Sequence, residues 1–465
     1  MNKDGVNYKK ISAYYLFATL FGKGMAFFTV PVFTRVFSTS DYGIVNTYNS
    51  WVAILSMTIG FTLHMGVRAA FVDYRQQIND FMSTIVSFTI VFAITICIAV
   101  YGFLSIKNIS SGLILLCIVQ SVAGALISDY SMYLMMQYRF KLRTIIMVLP
   151  DLLAVIASIV TVIYIIDDNL YLGRIVPTAF IYVIFGVAVS CLVYMKRRPV
   201  IYGRFLKYGL GISAPLILHG ISLTLLSQSD RTMITWLADS SQTGIYSLIY
   251  NFSMLATVVT TAFDGIWVPW FTDRMIECEY DKINKMGRFY LELIALAISV
   301  LVLTGPEIVK ILASSDYWEG INIIPPIVLS NFAIFAYTLY VNIEHYYKKT
   351  MMISINTLTS AIVNIFLNAL LIPRYGYVAA AYTTLISYIL AFYLHKKSAD
   401  KLVKELFDTK MFVVIMCELG VITFFFYLLL DFWIIRWVIC IFYLVIKQYT
   451  YRYEIKSYIM KRKNR

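Results

Sequence analysis

The residues of this chain that can do chemistry are charged or imidazole side chains set inside long apolar runs. Lys23 sits between Gly22 and Gly24, in the middle of the run 11–35. Arg35 ends that run, and His64 and Arg68 belong to the next. His219, Asp230 and Arg231 lie in 209–236, and Asp264 lies in 242–269. A lysine at bilayer depth costs about 2.5–3.5 kcal/mol on insertion scales. Each flanking glycine adds about 1 kcal/mol relative to alanine in a helix. Lys23 is also about 12 residues from either end of its run, too deep to reach an interface easily. Intramembrane charges face a bundle interior, where they pair or line a pathway. Lys23, His64, His219 and Asp230 are therefore candidates for a shared wet cavity that binds substrate. Arg35, Arg68 and Arg231 lie nearer span ends, where a structural pair or an interfacial position competes. Asp264 is the candidate for exchanging a proton or binding Na+, against a permanent pair with Arg231 or a histidine. Glu344-His345 reads as interfacial, and Glu292, Glu307, Lys310, Glu418 and Arg436 read as near-interface groups.

Such residues need membrane-crossing elements to hold them. Of 465 residues, 60% are hydrophobic, against about 45–50% in soluble domains. The apolar runs predict 14 helical spans: 11–35, 43–66, 81–104, 111–136, 145–166, 174–195, 209–236, 242–269, 289–312, 321–345, 351–372, 377–395, 411–430 and 432–448. At about 1.5 Å per residue most of these cross a hydrocarbon core of roughly 30 Å. The ten-residue alternation of a membrane barrel is missing. Only Asp431 separates the last two spans, so they read as a tight hairpin or a re-entrant pair. The first run exceeds a signal-peptide core and lacks a small-x-small site, so it reads as the first span.

Orientation follows from charge. Most of the 39 Lys and Arg fall in the two tails or in loops after even-numbered spans, such as Lys196, Arg197 and Arg198. The opposite loops carry Asp41, Asp167, Asp168, Asp239, Asp316 and Glu319. This asymmetry predicts both termini in the cytoplasm. The basic residues sit between apolar spans, so the net charge of +13 does not point to nucleic acid.

The two halves look alike. TRVFSTSDYGIVNTYN, with Gly43, matches TWLADSSQTGIYSLIYN, with Gly244, 201 residues later. Under that offset Asp264 falls beside His64. IIDDNLYLGRIVPTAFIYVI matches LIPRYGYVAAAYTTLISYIL at an offset of 206. A six-span unit repeated in parallel is expected, with lobes at 1–200 and 201–400 and an extra helix pair with a basic tail at 401–465.

Catalytic signatures are missing: there is no P-loop, HExxH or GxSxG. The hydrophilic gaps are too short for a catalytic domain, so an enzyme is not expected, and no cofactor is implied. The six cysteines form no CxxC, and most sit in apolar runs, so they read as buried small hydrophobes without disulfide or metal.

KKISAYYLFATLFGKGMAFFTVPVFTRVFSTSDYGIVNTY, SQSDRTMITWLADSSQTGIYSLIY and NIFLNALLIPRYGYVAAAYTTLISY resemble bacterial polysaccharide-biosynthesis flippases. These are the Wzx-type O-antigen, capsule and teichuronic-acid transporters of the multidrug/oligosaccharidyl-lipid/polysaccharide exporter superfamily. The resemblance covers residues 1 to about 400. Val378-Ala379-Ala380 departs from the usual Gly-Ala-Ala. The resemblance implies an all-α, polytopic, V-shaped two-lobed transporter in the bacterial cytoplasmic membrane. It implies a polyprenyl-diphosphate-linked oligosaccharide as cargo, moved from the inner to the outer leaflet. The diphosphate suits a cavity with lysine and arginine, since arginine binds phosphate bidentately. Membrane lipid, H+ or Na+ as coupling ion, and polysaccharide polymerase machinery are the implied partners. The competing expectations are a cation-coupled multidrug exporter of the same superfamily, a membrane-embedded polymerase or ligase, and a non-transporting scramblase or scaffold.

Overall fold

The computed structural model describes residues 29–105 and 110–463. Every regular element among them is helical. In order these are α1 (29–36), α2 (Thr39–Gly60), α3 (Leu63–Asp73), α4 (Ile78–Ser105), α5 (Ser111–Met136), α6 (Phe140–Tyr164), α7 (Leu170–Tyr194) and α8 (Gly203–Leu237). They continue with α9 (Ser240–Ser253), α10 (Leu255–Ile276), α11 (Tyr280–Leu312), α12 (Ile324–Tyr346), α13 (Thr350–Ala399), α14 (Thr409–Leu428) and α15 (Trp433–Lys463). Among the described residues 10 helices are long and apolar enough to cross a membrane, or 11 with the bent α8. The protein is a polytopic all-α membrane protein. Most of the first expected span, including Lys23, lies outside the described residues. Every later expected span coincides with a helix or a helix pair.

Several spans are not straight, and each break has a local cause. α8 bends by 53° between Ala214 and Leu216, at Pro215, which lacks the amide hydrogen a helix interior needs. The expected span 43–66 is broken between α2 and α3 at Phe61 and Thr62. The expected span 242–269 is shared by α9 and α10. α13 has 50 residues, too many for one crossing, and Gly376 divides it with φ 57° and ψ −144°. Those angles are open essentially only to glycine. A Cβ there would also lie 2.0 Å from Gln242 Oε1, the atom that accepts the Tyr377 amide at 3.1 Å. Gly376→Ala is expected to cost about 1–3 kcal/mol, read as a lower thermal midpoint in detergent. An unchanged midpoint would contradict this account of the turn.

The chain divides into two compact units, Met1–Ser247 with Thr350–Ala380, and Leu248–Lys349 with Ala381–Arg465. In the first unit α5 is central and packs against α2, α3, α4, α6 and α7, while α8 runs along α2. Lipid removes the usual hydrophobic drive between helices, so close packing holds them together. Its core includes Leu63, Val67, Phe81, Ile85, Leu126, Leu134 and Phe205. Ile94, Ile98, Val160, Ile163 and Phe180 are exposed, as suits helix faces that meet lipid.

In the second unit α11 packs against α10, α12, α14 and α15. Several groups expected near the interface instead tie spans together. Arg436 on α15 is buried and pairs with Glu307 on α11. Trp437 Nε1 donates to the same carboxylate at 3.2 Å. Lys447 pairs with Glu418 on α14 at 2.8 Å. These contacts fasten the last helix to α11 and α14, because an ion in apolar surroundings is stable mainly beside its counterion. Glu344, near the end of α12, faces protein: it is fully buried, and its Oε2 lies 2.6 Å from His395 Nδ1. One step of helix rotation separates it from the exposed His345. The Tyr337 ring stacks on His395 at 5.4 Å. At the turn between α10 and α11, hydrogen bonds from Lys282 and then Arg274 hold the Glu279 carboxyl below its usual range. The cysteines depart from expectation as well. Cys117 and Cys440 are buried, but Cys191 and Cys417 are exposed, since an apolar run in a membrane need not face a core, and Cys278 is exposed in the turn between α10 and α11.

Candidate functional site

The starts of α2 and α9 meet, and both lie in the first unit. Ser38 caps α2 through a reciprocal box with Asp41. Asp239 caps α9 by accepting the Gln242 amide at 2.8 Å. Thr39 and Ser241 hydroxyls lie 2.6 Å apart, and Ser40 and Ser240 hydroxyls 2.7 Å apart. Between them Gly43 and Gly244 bring the two backbones together. A Cβ on Gly43 would lie 1.8 Å from the Ser240 carbonyl oxygen. One on Gly244 would lie 2.0 Å from that of Thr39. Only glycine fits either position. These are the residues that the 201-residue offset equates, so the two matching segments touch each other.

One turn deeper, Thr47 and Thr235 hydroxyls are 2.7 Å apart, and Ser50 donates to Gln228 Oε1 at 3.2 Å. The Arg231 guanidinium donates to that same Oε1 at 3.1 Å and to the Ser227 carbonyl at 3.1 Å. Gln228 and Ser227 line a cavity of about 300 Å³ that His64 and Asp129 also line. Two of the residues singled out above, His64 and Arg231, thus reach one region.

Asp230 points elsewhere, because successive helix residues are turned by about 100°. It is fully buried and accepts from Tyr246 OH at 2.6 Å and Asn368 Nδ2 at 2.7 Å. Asn368 also donates to Asn364 at 3.2 Å. Asp230 therefore joins α8 to α9 and α13. His219 Nδ1 lies 3.1 Å from the Thr357 hydroxyl on α13. Arg35 and Arg68 are exposed. Asp264 lies within α10, and its side chain is outside the described residues.

The criterion of an ionisable group inside an apolar run also selects Asp129, in 111–136. Gln228 and Tyr246 carry no comparable signal, being neutral groups common on any helix.

The polysaccharide biosynthesis protein family matches residues 9–275. A Lsg locus protein of Haemophilus influenzae is 20% identical over 365 residues, 76% of this chain and 88% of that protein. Among solved structures, the lipid II flippase MurJ in an inward closed conformation matches with a TM-score of 0.61 and 16% identity, over 96% of this chain and 99% of that one. A Vibrio cholerae MATE transporter matches with a TM-score of 0.57 and 15% identity, over 87% and 98%. At these identities the likeness establishes the fold, which is that of the MurJ and MATE transporter structures. The family match takes in more than half of the sequence, and the chain belongs to the polysaccharide biosynthesis protein family.

Proposed function

We propose that this protein is a flippase that carries a polyprenyl-diphosphate-linked oligosaccharide from the cytoplasmic to the outer leaflet for surface polysaccharide synthesis. Its membrane is the bacterial cytoplasmic membrane, with both termini inside. Family membership and fold support the reading. The observation that carries it is the contact of Gly43 with the start of α9 and of Gly244 with the start of α2. In the proposed orientation this backbone-to-backbone closure lies at the outer side. It must part for a polar headgroup to leave, as alternating access between two six-helix repeats, 1–200 and 201–400, requires. The glycan and diphosphate cannot cross hydrocarbon unaided. Lys23, Arg35, His64, Arg68, His219 and Arg231 are the proposed lining of the path, Asp230 is the group that holds α8 to α9 and α13 behind it, and Asp264 is the proposed coupling group.

The test is reconstitution into vesicles bearing a lipid-linked oligosaccharide whose outward movement is read by lectin or enzyme access. The protein is expected to accelerate that movement well above empty vesicles. Lys23→Ala and Arg231→Ala are expected to slow it at least about tenfold, the loss of about 1.4 kcal/mol, while the protein still accumulates. Asp264→Asn is expected to remove any acceleration by an imposed pH or Na+ gradient. Movement no faster than in empty vesicles, with export of an organic-cation dye instead, would favour the multidrug reading.

A further inference from the structure

The break in the second membrane span has a purpose that the cargo path does not explain. Phe61 and Thr62 both have left-handed backbone angles, with φ of 48° and 49°, which side chains other than glycine rarely adopt. Irregular backbone at membrane depth persists only where protein surrounds it or where it lines a cavity. Here it does the latter. Gly60 and Thr62 border the same cavity of about 300 Å³ as Asp129 and His64. At the break the Thr62 carbonyl accepts the Met65 amide at 2.9 Å. Ser213 Oγ donates to the Thr62 carbonyl at 3.2 Å. The His64 backbone amide, in the first turn of α3, donates to the Asp129 carboxylate.

What remains is a set of oxygens without partners. Asp129 is 1% exposed, and its Oδ2 has no hydrogen bond. Thr62 is 6% exposed, and its Oγ1 has none either. Ser56, Ser128 and Gln228 complete the wall, with Ser56 donating to the Ser121 carbonyl and Gln228 Oε1 already accepting from Ser50 and Arg231. The carbonyl end of α2, which carries partial negative charge, ends at this cavity. A buried carboxylate beside a helix C-terminus is a poor site for an anion and a good one for a cation. Unwound carbonyls and half-helix C-termini hold Na+ or H+ in other broken membrane helices.

Charged groups on the neighbouring elements do not neutralise Asp129. Asp80 on α4 pairs with Arg197. Arg143 on α6 donates to Ser131, and Asp151 on α6 accepts from Tyr182. Arg174 on α7 lies over Phe33, and Lys196, just past α7, donates to Tyr133. On α3, Asp73 accepts from Tyr208 and Arg68 is exposed. On α2, Asp41 sits in its capping box. Arg231 on α8 is bound to Gln228 and the Ser227 carbonyl. His64 remains as the titratable neighbour in the cavity wall.

We propose that Asp129, Thr62 and the broken end of α2 form a binding site for a monovalent cation, a proton or Na+, with His64 in its wall. Its use in driving transport rests on the flippase reading; the binding itself does not. Occupancy would tie α5 to the junction of α2 and α3.

The test is thermal unfolding of the purified full chain in detergent, with NaCl exchanged for choline chloride at fixed pH, and with pH varied in choline chloride. The wild type is expected to gain about 2–4 °C when the site fills. A gain with sodium assigns Na+, and a gain on acidification alone assigns the proton. Asp129→Asn and Thr62→Val are each expected to lose the gain, while Asp80→Asn keeps it, since Asp80 pairs with Arg197 outside this cavity. Thr62→Val serves if Asp129→Asn does not fold. No gain in the wild type, or the same gain in Thr62→Val and any folded Asp129→Asn, would overturn the proposal. Because this readout needs no cargo, it stands or falls separately from the flippase assay.

Discussion

Oxidising a protein that carries Ser40→Cys and Ser240→Cys is expected to stop transport almost completely, and reduction to restore it. The two hydroxyls are 2.7 Å apart, close enough for their replacements to approach disulfide bonding distance of about 2.05 Å. They belong to the matching segments at the starts of α2 and α9, where Gly43 and Gly244 leave no space for a side chain. If that contact must part in each cycle, a covalent bond across it holds the carrier in one state. The exposed Cys191, Cys278 and Cys417 would first be replaced by alanine, and each single cysteine variant is expected to transport normally. Gly43→Leu is the converse variant: it pushes the contact apart and is expected to abolish transport without an oxidant. A crosslinked protein that still transports at the wild-type rate would show that the contact is static, and would remove the main support for alternating access at this point.

The second large effect is expected at Asp230. Replacing it by alanine removes the acceptor of Tyr246 OH and of Asn368 Nδ2 in a fully buried place. A buried donor that loses its acceptor costs about 1–3 kcal/mol. Asp230→Ala is therefore expected to lower the thermal midpoint by several degrees and to reduce accumulation. Asp230→Asn keeps an acceptor oxygen and is expected to fall between alanine and wild type. A midpoint for Asp230→Ala equal to that of the wild type would mean that the network does not hold α8 to α9 and α13. A stable Asp230→Asn that fails to transport would instead assign Asp230 to the path itself.

Much of this protein was legible in its sequence. The apolar runs located the spans because crossing a membrane requires a minimum length of apolar helix, whatever packs against it. The offset of 201 residues was legible as well, and the segments it equates turned out to touch at Gly43 and Gly244. The intramembrane charges stood out because few residues carry such a cost. What those charges face was not legible. Asp230 and Arg231 are neighbours in sequence, yet one binds Tyr246 and Asn368 and the other binds Gln228. Glu344 read as interfacial and is sealed against His395. Asp129 gained its meaning only beside the break at Phe61 and Thr62. The reason is common to all of these. In water, the apolar face of a helix marks its buried side. In a membrane, lipid and protein interior are both apolar, so the pattern does not reveal how a helix is rotated about its axis. Length and charge set where each span lies along the chain, and only tertiary packing decides which way its polar groups point.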